Sequence, residues 1–425
     1  MFKKLLPILA LSFVNILGFS ILIPVLPEVV NQFSDTEYAG TIYGLLISSY
    51  AFSQFLAAPI LGSLSDRFGR RPLLLISQTG TMLSWVIFGL AYYFGDIGVT
   101  AQFQLGLFII AFSRIIDGLT GGNISVGQAW ISDMTTPEEK TKAFGLEGAV
   151  FGVGFLMGPL LGGLSFSTSY GLLGTAVVAF TISLVTLILM WLKLPESLPL
   201  SRRNRDLHFS WKQELRYLDK IGIFWKEKCL RMLLPLRLSY AFLFVCFTTS
   251  IILLMERDFQ LTPSHMGMVF TVLGVYAFFN QAFVVPRVAR ALGKVKTFLF
   301  GSYVTAFALI FLSAIPILAG TDFSSFLVLI LFFLNAYLEN YGITSSMTTF
   351  RALITTLLPA EKHGLATGVD QSIGSLGQAI APVIAGSIYD VFSFWSFGLY
   401  GVLLLIPAFY ATMRVRRGVI GSCGN

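Results

Sequence analysis

Charge is scarce in this sequence. Asp, Glu, Lys and Arg together make up 12% of its 425 residues, about half the share of a typical soluble chain. So few charges cannot coat a water-soluble globule of this size. Cysteine is scarce as well. Cys229, Cys246 and Cys423 stand far apart, without metal or redox spacing, and imply no disulfide framework. The three histidines, His208, His265 and His363, lie between or at the ends of apolar runs, so no imidazole relay is expected inside one. No His/Asp/Glu ligand cluster and no nucleophile constellation is visible. The pattern argues against an enzyme and calls for no cofactor and no metal.

What is abundant is apolar: 55% of the residues are hydrophobic, with 40 Phe and 40 Gly. Crossing a bilayer takes about 20 apolar residues. Runs of that order occur at 5–29, 41–64, 72–94, 104–132, 142–164, 170–192, 232–255, 266–287, 296–318, 324–350, 364–388 and 394–413. They predict an all-α membrane protein with twelve transmembrane helices and the lipid bilayer as its main solvent. The short alternations of a membrane β-barrel are not seen. The first run is longer than a signal peptide's apolar core and lacks a small-x-small site before Pro27, so it reads as an uncleaved span.

The net charge of +7 is distributed unevenly. Lys3, Lys4, Arg67, Arg70, Arg71, Lys140, Lys142, Arg287, Arg290, Lys294, Lys296, Lys362, Arg414, Arg416 and Arg417 fall in one set of loops, and Arg257 alone in the other. The positive-inside rule then puts both termini in the cytoplasm. The charge is a topology signal, and no nucleic-acid partner is implied. The longest polar stretch, 193–231, reads as a cytoplasmic linker between a six-helix bundle at 1–192 and another at 232–425. The two halves are related. Gly145, Gly154, Pro159 and Gly163 recur 223 residues later as Gly368, Gly377, Pro382 and Gly386, which points to two pseudo-symmetric bundles from one duplicated unit.

Three stretches carry chemistry. After the second span comes GSLSDRFGRRP, in which Asp66 and the arginines Arg67, Arg70 and Arg71 can form an ion-pair latch. Gly62 is expected to allow close helix contact and Gly69 a tight turn. In the fourth span, Arg114 and Asp117 share a helix face at i, i+3; an intramembrane arginine costs at least ~2.5–3.5 kcal/mol unless paired or wetted. In the fifth, Gly145, Gly154, Gly158, Pro159, Gly162 and Gly163 make a flat face, expected to pack against a helix of the other half, with a bend at the proline. The tenth span holds another acid, Glu339, without an arginine nearby in its own helix. A carboxylate in a low-dielectric cavity can exchange protons near neutral pH. Arg237, a turn or two inside the seventh span, is expected to snorkel to the cytoplasmic surface. Asn15, Asn123, Gln128, Asn340 and Tyr341 are candidate polar lining of a substrate cavity.

The loop after the second span, the Arg-x-x-polar-Gly pattern of the fourth and the glycine pattern of the fifth resemble those of the major facilitator superfamily, in its drug/proton antiporter branch. The resemblance extends through span count, linker and duplication over nearly the whole chain. The first span looks like that of tetracycline/proton antiporters, with Asn15 about where those proteins carry an acid. The resemblance implies the major facilitator fold and a secondary transporter that exports a drug-like compound or metabolite in exchange for protons by alternating access. It implies that Arg70 pairs with Asp133 at the end of the fourth span, that the latch stabilises an outward-open state, and that Arg114, Asp117 and Glu339 serve proton coupling. Partners are then a small-molecule substrate and protons, with a monomer in a bacterial inner membrane. A proton-coupled symporter importing a small solute is the alternative; a membrane-embedded enzyme or sensor is a remote one.

Overall fold

The computed structural model describes residues 2–34, 36–99, 104–203, 228–319, 322, 325–357 and 360–415. Among them the regular structure is helical, apart from one isolated β-bridge between Gly98 and Gln104. Packing divides the chain into two compact units, Met1–Trp211 with Thr262–Thr271, and Lys212–Leu261 with Val272–Asn425.

The first unit contains α1 (Phe2–Ser20), α2 (Leu26–Phe33), α3 (Ala39–Phe68), α4 (Arg70–Phe94), α5 (Leu105–Gly121), α6 (Ile124–Met134), α7 (Pro137–Phe166) and α8 (Gly171–Lys193). Two predicted spans are interrupted. The first breaks at residues 21–25, because Pro24 has no N–H to give and its ring crowds the carbonyl four residues back. The fourth breaks at Gly122 and Asn123, where the chain passes within contact distance of the α3 backbone at Ala57 and Ala58. α7 starts on a reciprocal cap between Thr136 and Glu139, with Pro137 in its first turn. Trp130, Leu5, Ile8, Leu74 and Met190 form a buried apolar cluster at the end of this unit that carries the 62–72 loop.

The second unit contains α9 (Lys228–Leu253), the part of α10 (Pro263–Phe279) from Val272 on, α11 (Val285–Leu292), α12 (Lys294–Ala319), α13 (Phe326–Leu357), α14 (Ala360–Phe392) and α15 (Trp395–Arg414). α9 and α10 each run on into a wide i→i+5 turn, Leu254–Asp258 and Asn280–Val284, a local geometry that re-aims the side chains beyond it. Packing partners repeat between units. α4 packs on α5 and α8 as α12 packs on α13 and α15, and α1 packs on α7 as α9 packs on α14. These are the pairs that the 223-residue offset equates.

Among the described residues, ten helices are long and apolar enough to cross a membrane, and two shorter apolar helices, Lys4–Ser20 and Gly152–Phe166, lie on the first and fifth predicted spans.

Candidate functional site

The loop between α3 and α4 is held by charge on both sides. Arg70 opens α4 and is buried. Its guanidinium lies 2.6 Å from Asp66 and 3.3 Å from Asp133, and also donates to Ser65. The structure therefore brings Arg70, Asp66 and Asp133 together. Arg71 donates to the carbonyl of Trp191 at 2.8 Å, while Arg67 is exposed, its guanidinium over the ring of Phe68. Gly62 has ordinary room: an added Cβ would come no nearer than 3.7 Å to Ser125, so the expected tight helix contact is absent there.

Sequence reasoning missed the residue at the centre of this loop. Glu196, just past α8, accepts from the backbone N–H groups of Arg70 at 2.9 Å and Arg71 at 3.3 Å. It thus supplies the N-terminal cap that Gly69 has no side chain to provide. Arg203 holds the carboxylate from the far side at 3.3 Å, Ser197 donates to Asp133, and Trp130 donates to the carbonyl of Pro195. Gly69 lies at φ +105°, and a Cβ on it would collide with Glu196 and Arg203. The glycine makes the turn and also leaves space for the cap. The available signal was an acid directly after the sixth span, ahead of the basic run Arg202, Arg203 and Arg205.

Deeper in the first unit, Arg114 and Asp117 form a buried ion pair at 2.9 Å. The Arg114 guanidinium sits over the rings of Trp85, 5.1 Å away, and Tyr50, 5.6 Å away, where ring quadrupoles attract a cation. Arg114 and Tyr50 also line a small cavity with Phe19, Leu46 and Leu26. A hydrogen-bonded chain runs beside the pair. Asn15 donates to Asn123 at 2.7 Å, Asn123 donates to Ser77 at 2.7 Å, and Ser77 donates to the carbonyl of Thr120. Asn123 thus bonds within its own unit through both ends of its amide, whereas Asn15 keeps a buried carbonyl oxygen without a hydrogen-bond partner among the described residues. Gln128 is exposed on α6.

In the second unit Glu339 is 6% exposed, and its Oε1 is buried without a hydrogen-bond partner among the described residues. It borders a small cavity lined also by Tyr240, Phe244, Phe247, Thr305 and Leu309. Asn340, one residue on, faces elsewhere and accepts from Asn280 in the wide turn after α10 at 3.1 Å. Tyr341 is buried against Phe300. Arg237 does not snorkel. It is 4% exposed, with its guanidinium over the ring of Phe350 at 5.6 Å. The α9–α13 packing supplies that aromatic face, which spacing along one helix could not reveal.

The glycine face of α7 meets a helix of the second half at one end, as expected, and a helix of its own half along the rest. Gly154, Gly158 and Gly162 lie against Ile16, Ser20 and Ile21, at the end of α1 in the same unit. Ser20 donates to the carbonyl of Gly154 at 3.1 Å. Only Gly163 and Pro159 meet the start of α10, at Pro263 and Gly267, in the stretch that groups with this unit. The break at residues 21–25 takes α1 out of regular helix, and a flat neighbour accommodates that irregular backbone. Gly145 lies in the same helix, nearer its start.

A family model described as "Major Facilitator Superfamily" matches residues 8–350 and 233–419. The tetracycline resistance protein, class H, of Pasteurella multocida is 30% identical over 297 residues, 69% of each chain. The class C tetracycline resistance protein of Escherichia coli is 27% identical over 394 residues, 91% of this chain and 90% of its own. Among solved structures, the human organic anion transporter MFSD10 (TETRAN) superposes with a TM-score of 0.68 at 20% identity, over 96% of this chain and 99% of that one. That last likeness is one of fold.

Proposed function

Because this chain belongs to the Major Facilitator Superfamily, we propose that it is a secondary transporter that exports a small molecule in exchange for protons, by alternating access. The observation that carries the reading is a pair of buried carboxylates on equivalent helices of the two units. Asp117 on α5 is ion-paired with Arg114, and Glu339 on α13 has an oxygen with no hydrogen-bond partner among the described residues. Acids at such positions are expensive in a membrane, and proton exchange is a use that compensates for them. The likeness to tetracycline resistance proteins over most of the chain favours export.

In this reading the protein is a monomeric carrier in a bacterial cytoplasmic membrane, with both termini inside. The asymmetric loop charges support that orientation. The loop at Asp66–Arg71 with Asp133 acts as a cytoplasmic latch that opens and closes once per cycle, and Glu196 holds it in register. Proton entry at Glu339 or Asp117 is linked to substrate release.

The test is uphill transport in reconstituted vesicles under an imposed pH gradient. Compounds for it come from a screen for those whose cellular accumulation rises when the chain is deleted. Substrate flux should stop on addition of an uncoupler, and Glu339→Gln or Asp117→Asn should abolish the response to the gradient. Full gradient-driven transport by both variants would overturn the assignment.

A further inference from the structure

Each unit makes a turn between two helices on a glycine followed by a cation, and the two turns are charged differently. Gly69, at φ +105° and ψ 156°, precedes Arg70; Gly293, at φ +79° and ψ 158°, precedes Lys294. In the first unit the charge is closed by carboxylates. Arg70 meets Asp66 and Asp133, and Glu196 accepts from the backbone of Arg70 and Arg71. The second unit has no such closure. Three residues before its glycine, where the first unit has Asp66, stands Arg290. No Asp or Glu occurs between Asp258 and Asp322, and residues 391–425 contain none. A Cβ on Gly69 would collide with Glu196 and Arg203, whereas one on Gly293 would meet nothing within 4 Å among the described residues.

Arg287, Arg290, Lys294 and Lys296 are exposed on α11 and the start of α12. Arg287 and Arg290 share one face of α11 at i, i+3. Each bonds only within its own stretch of chain. Arg287 donates to the carbonyl of Phe283 at 2.6 Å and Arg290 to that of Pro286 at 3.2 Å. Neither pairs with a carboxylate among the described residues. Beside these cations lies an apolar surface. The wide turn Asn280–Val284 brings the ring of Phe283 to 6.4 Å from that of Phe278 and 5.5 Å from that of Phe279. All three rings are exposed. The Arg287 guanidinium lies 5.8 Å from the Phe283 ring, so cation and aromatic surface are continuous.

We propose that this surface is a binding site for an anionic phospholipid of the adjoining leaflet, with its phosphate on Arg287 and Arg290 and its acyl chains along Phe278, Phe279 and Phe283. The charge complementarity is direct. Guanidinium groups match phosphate oxygens two at a time, and no carboxylate competes for them. The rings select a lipid over a free phosphate, because a soluble anion leaves them uncovered. The lipid thereby brings to the second unit the negative charge that Asp66, Asp133 and Glu196 supply in the first. The site goes beyond the exporter reading and is independent of the direction and coupling of transport.

The experiment titrates the purified full chain, in detergent micelles, with dioleoylphosphatidylglycerol. Native mass spectrometry reads the affinity of the first lipid bound. Dioleoylphosphatidylcholine supplies the same chains without net charge, and water-soluble glycerophosphoglycerol supplies the charged head without chains. The anionic lipid should bind at least about tenfold more tightly than either. A basic residue at an anionic lipid surface contributes about fivefold, so Arg287→Gln with Arg290→Gln should weaken the first binding event about 25-fold. Arg287→Lys with Arg290→Lys keeps the charge, should stay within about fivefold of the unaltered chain, and reports on folding. Lys193→Gln with Arg414→Gln removes the same charge from exposed positions at the ends of α8 and α15. That control should change the affinity by less than about twofold, because salt screens charges outside the site.

The proposal is overturned if the double Gln variant binds the anionic lipid within about twofold of the unaltered chain, or if the control at Lys193 and Arg414 loses as much as it does. It is equally overturned if phosphatidylcholine binds as tightly as phosphatidylglycerol, since charge would then play no part. Glycerophosphoglycerol binding as tightly as the lipid would mark a site for soluble phosphate and refute the lipid assignment. A polyglutamate peptide that displaces the lipid, and itself binds through Arg287 and Arg290 more tightly, would assign the surface to an acidic protein instead. Vesicle transport separates this site from the exporter reading. Lipid binding with no uphill export refutes the exporter alone, and uphill export by a chain that shows no lipid preference refutes the lipid site alone.

Discussion

Replacing Gly69 with alanine sets two separate costs against each other at the junction of α3 and α4. The first is backbone strain. At φ +105° and ψ 156°, a region essentially confined to glycine, another residue costs of order 1–3 kcal/mol. The second is steric. The new methyl would lie 2.6 Å from Arg203 Nη2 and closer still to Glu196 Oε2, so the carboxylate must leave the α4 N-terminus. Hydrogen bonds to a charged group are worth about 1.5–3 kcal/mol. The Glu196 side chain is 26% exposed, which favours the lower end of that range. Gly69→Ala should therefore cost about 3.5 kcal/mol, of which about 2 is strain and about 1.5 is the lost cap. Glu196→Ala alone should cost about 1.5 kcal/mol. With the carboxylate already gone, the methyl should add only the strain, so the double variant should match Gly69→Ala. The coupling energy is then about 1.5 kcal/mol. Equilibrium unfolding of all four proteins in mixed micelles measures it. Costs additive within about 0.5 kcal/mol would refute the argument that Gly69 makes room for the cap.

Asp117→Asn leaves Arg114 buried without its ion partner and should destabilise by about 3–5 kcal/mol; Arg114→Gln/Asp117→Asn should recover part of that loss in the same micelle unfolding assay. Gly158→Val drives a branched side chain into Ser20 and the Ile21 backbone and should lower the melting temperature; adding Ser20→Gly should recover little of the loss, because the Ile21 backbone stays in place. Trp130→Phe removes the donor to Pro195 at 2.9 Å and should cost about 1 kcal/mol. Moving the acid by one residue, Glu339→Asn with Asn340→Asp, keeps a carboxylate at the same depth but turns it off the aromatic cavity; gradient-driven transport should be lost, and its retention would show that depth alone suffices.

The spans and the duplication were legible because the bilayer imposes them directly. A chain with 12% charged residues must place its apolar runs in lipid, and a repeated unit repeats its glycines and prolines. The first span was expected unbroken over 5–29, and the structure breaks it at residues 21–25, around Pro24. What depended on packing between helices was not legible. Arg237 has the spacing of a snorkelling residue, and only Phe350 from α13 gives it a buried place. Glu196 lies 126 positions after the backbone amide it caps, so no local pattern links them. The glycine face of α7 announced a close contact but not its partner, because flatness belongs to one helix and the broken end of α1 to another.

The duplication carried some packing positions into the second unit but not the Arg114–Asp117 pair, and this difference bears on mechanism. At the 223-residue offset Gly145, Gly154, Pro159 and Gly163 of α7 recur in α14, while Gly158 and Gly162 fall on Ala381 and Ala385; Asp117 corresponds to Asn340 and Arg114 to Tyr337. The acid of the second unit stands one residue earlier, at Glu339. One residue is about 100° around a helix. That rotation takes Glu339 away from Asn280, which Asn340 meets, and onto the cavity with Tyr240 and Phe247. In the first unit the acid stays with its arginine, and the local charge is closed at 2.9 Å. The two acids therefore have different electrostatic settings, one ion-paired within its unit and one with an oxygen that has no hydrogen-bond partner among the described residues. In the proposed exporter Glu339 is then the acid without a fixed partner in its unit, and Asp117 exchanges a proton only as its pair with Arg114 opens.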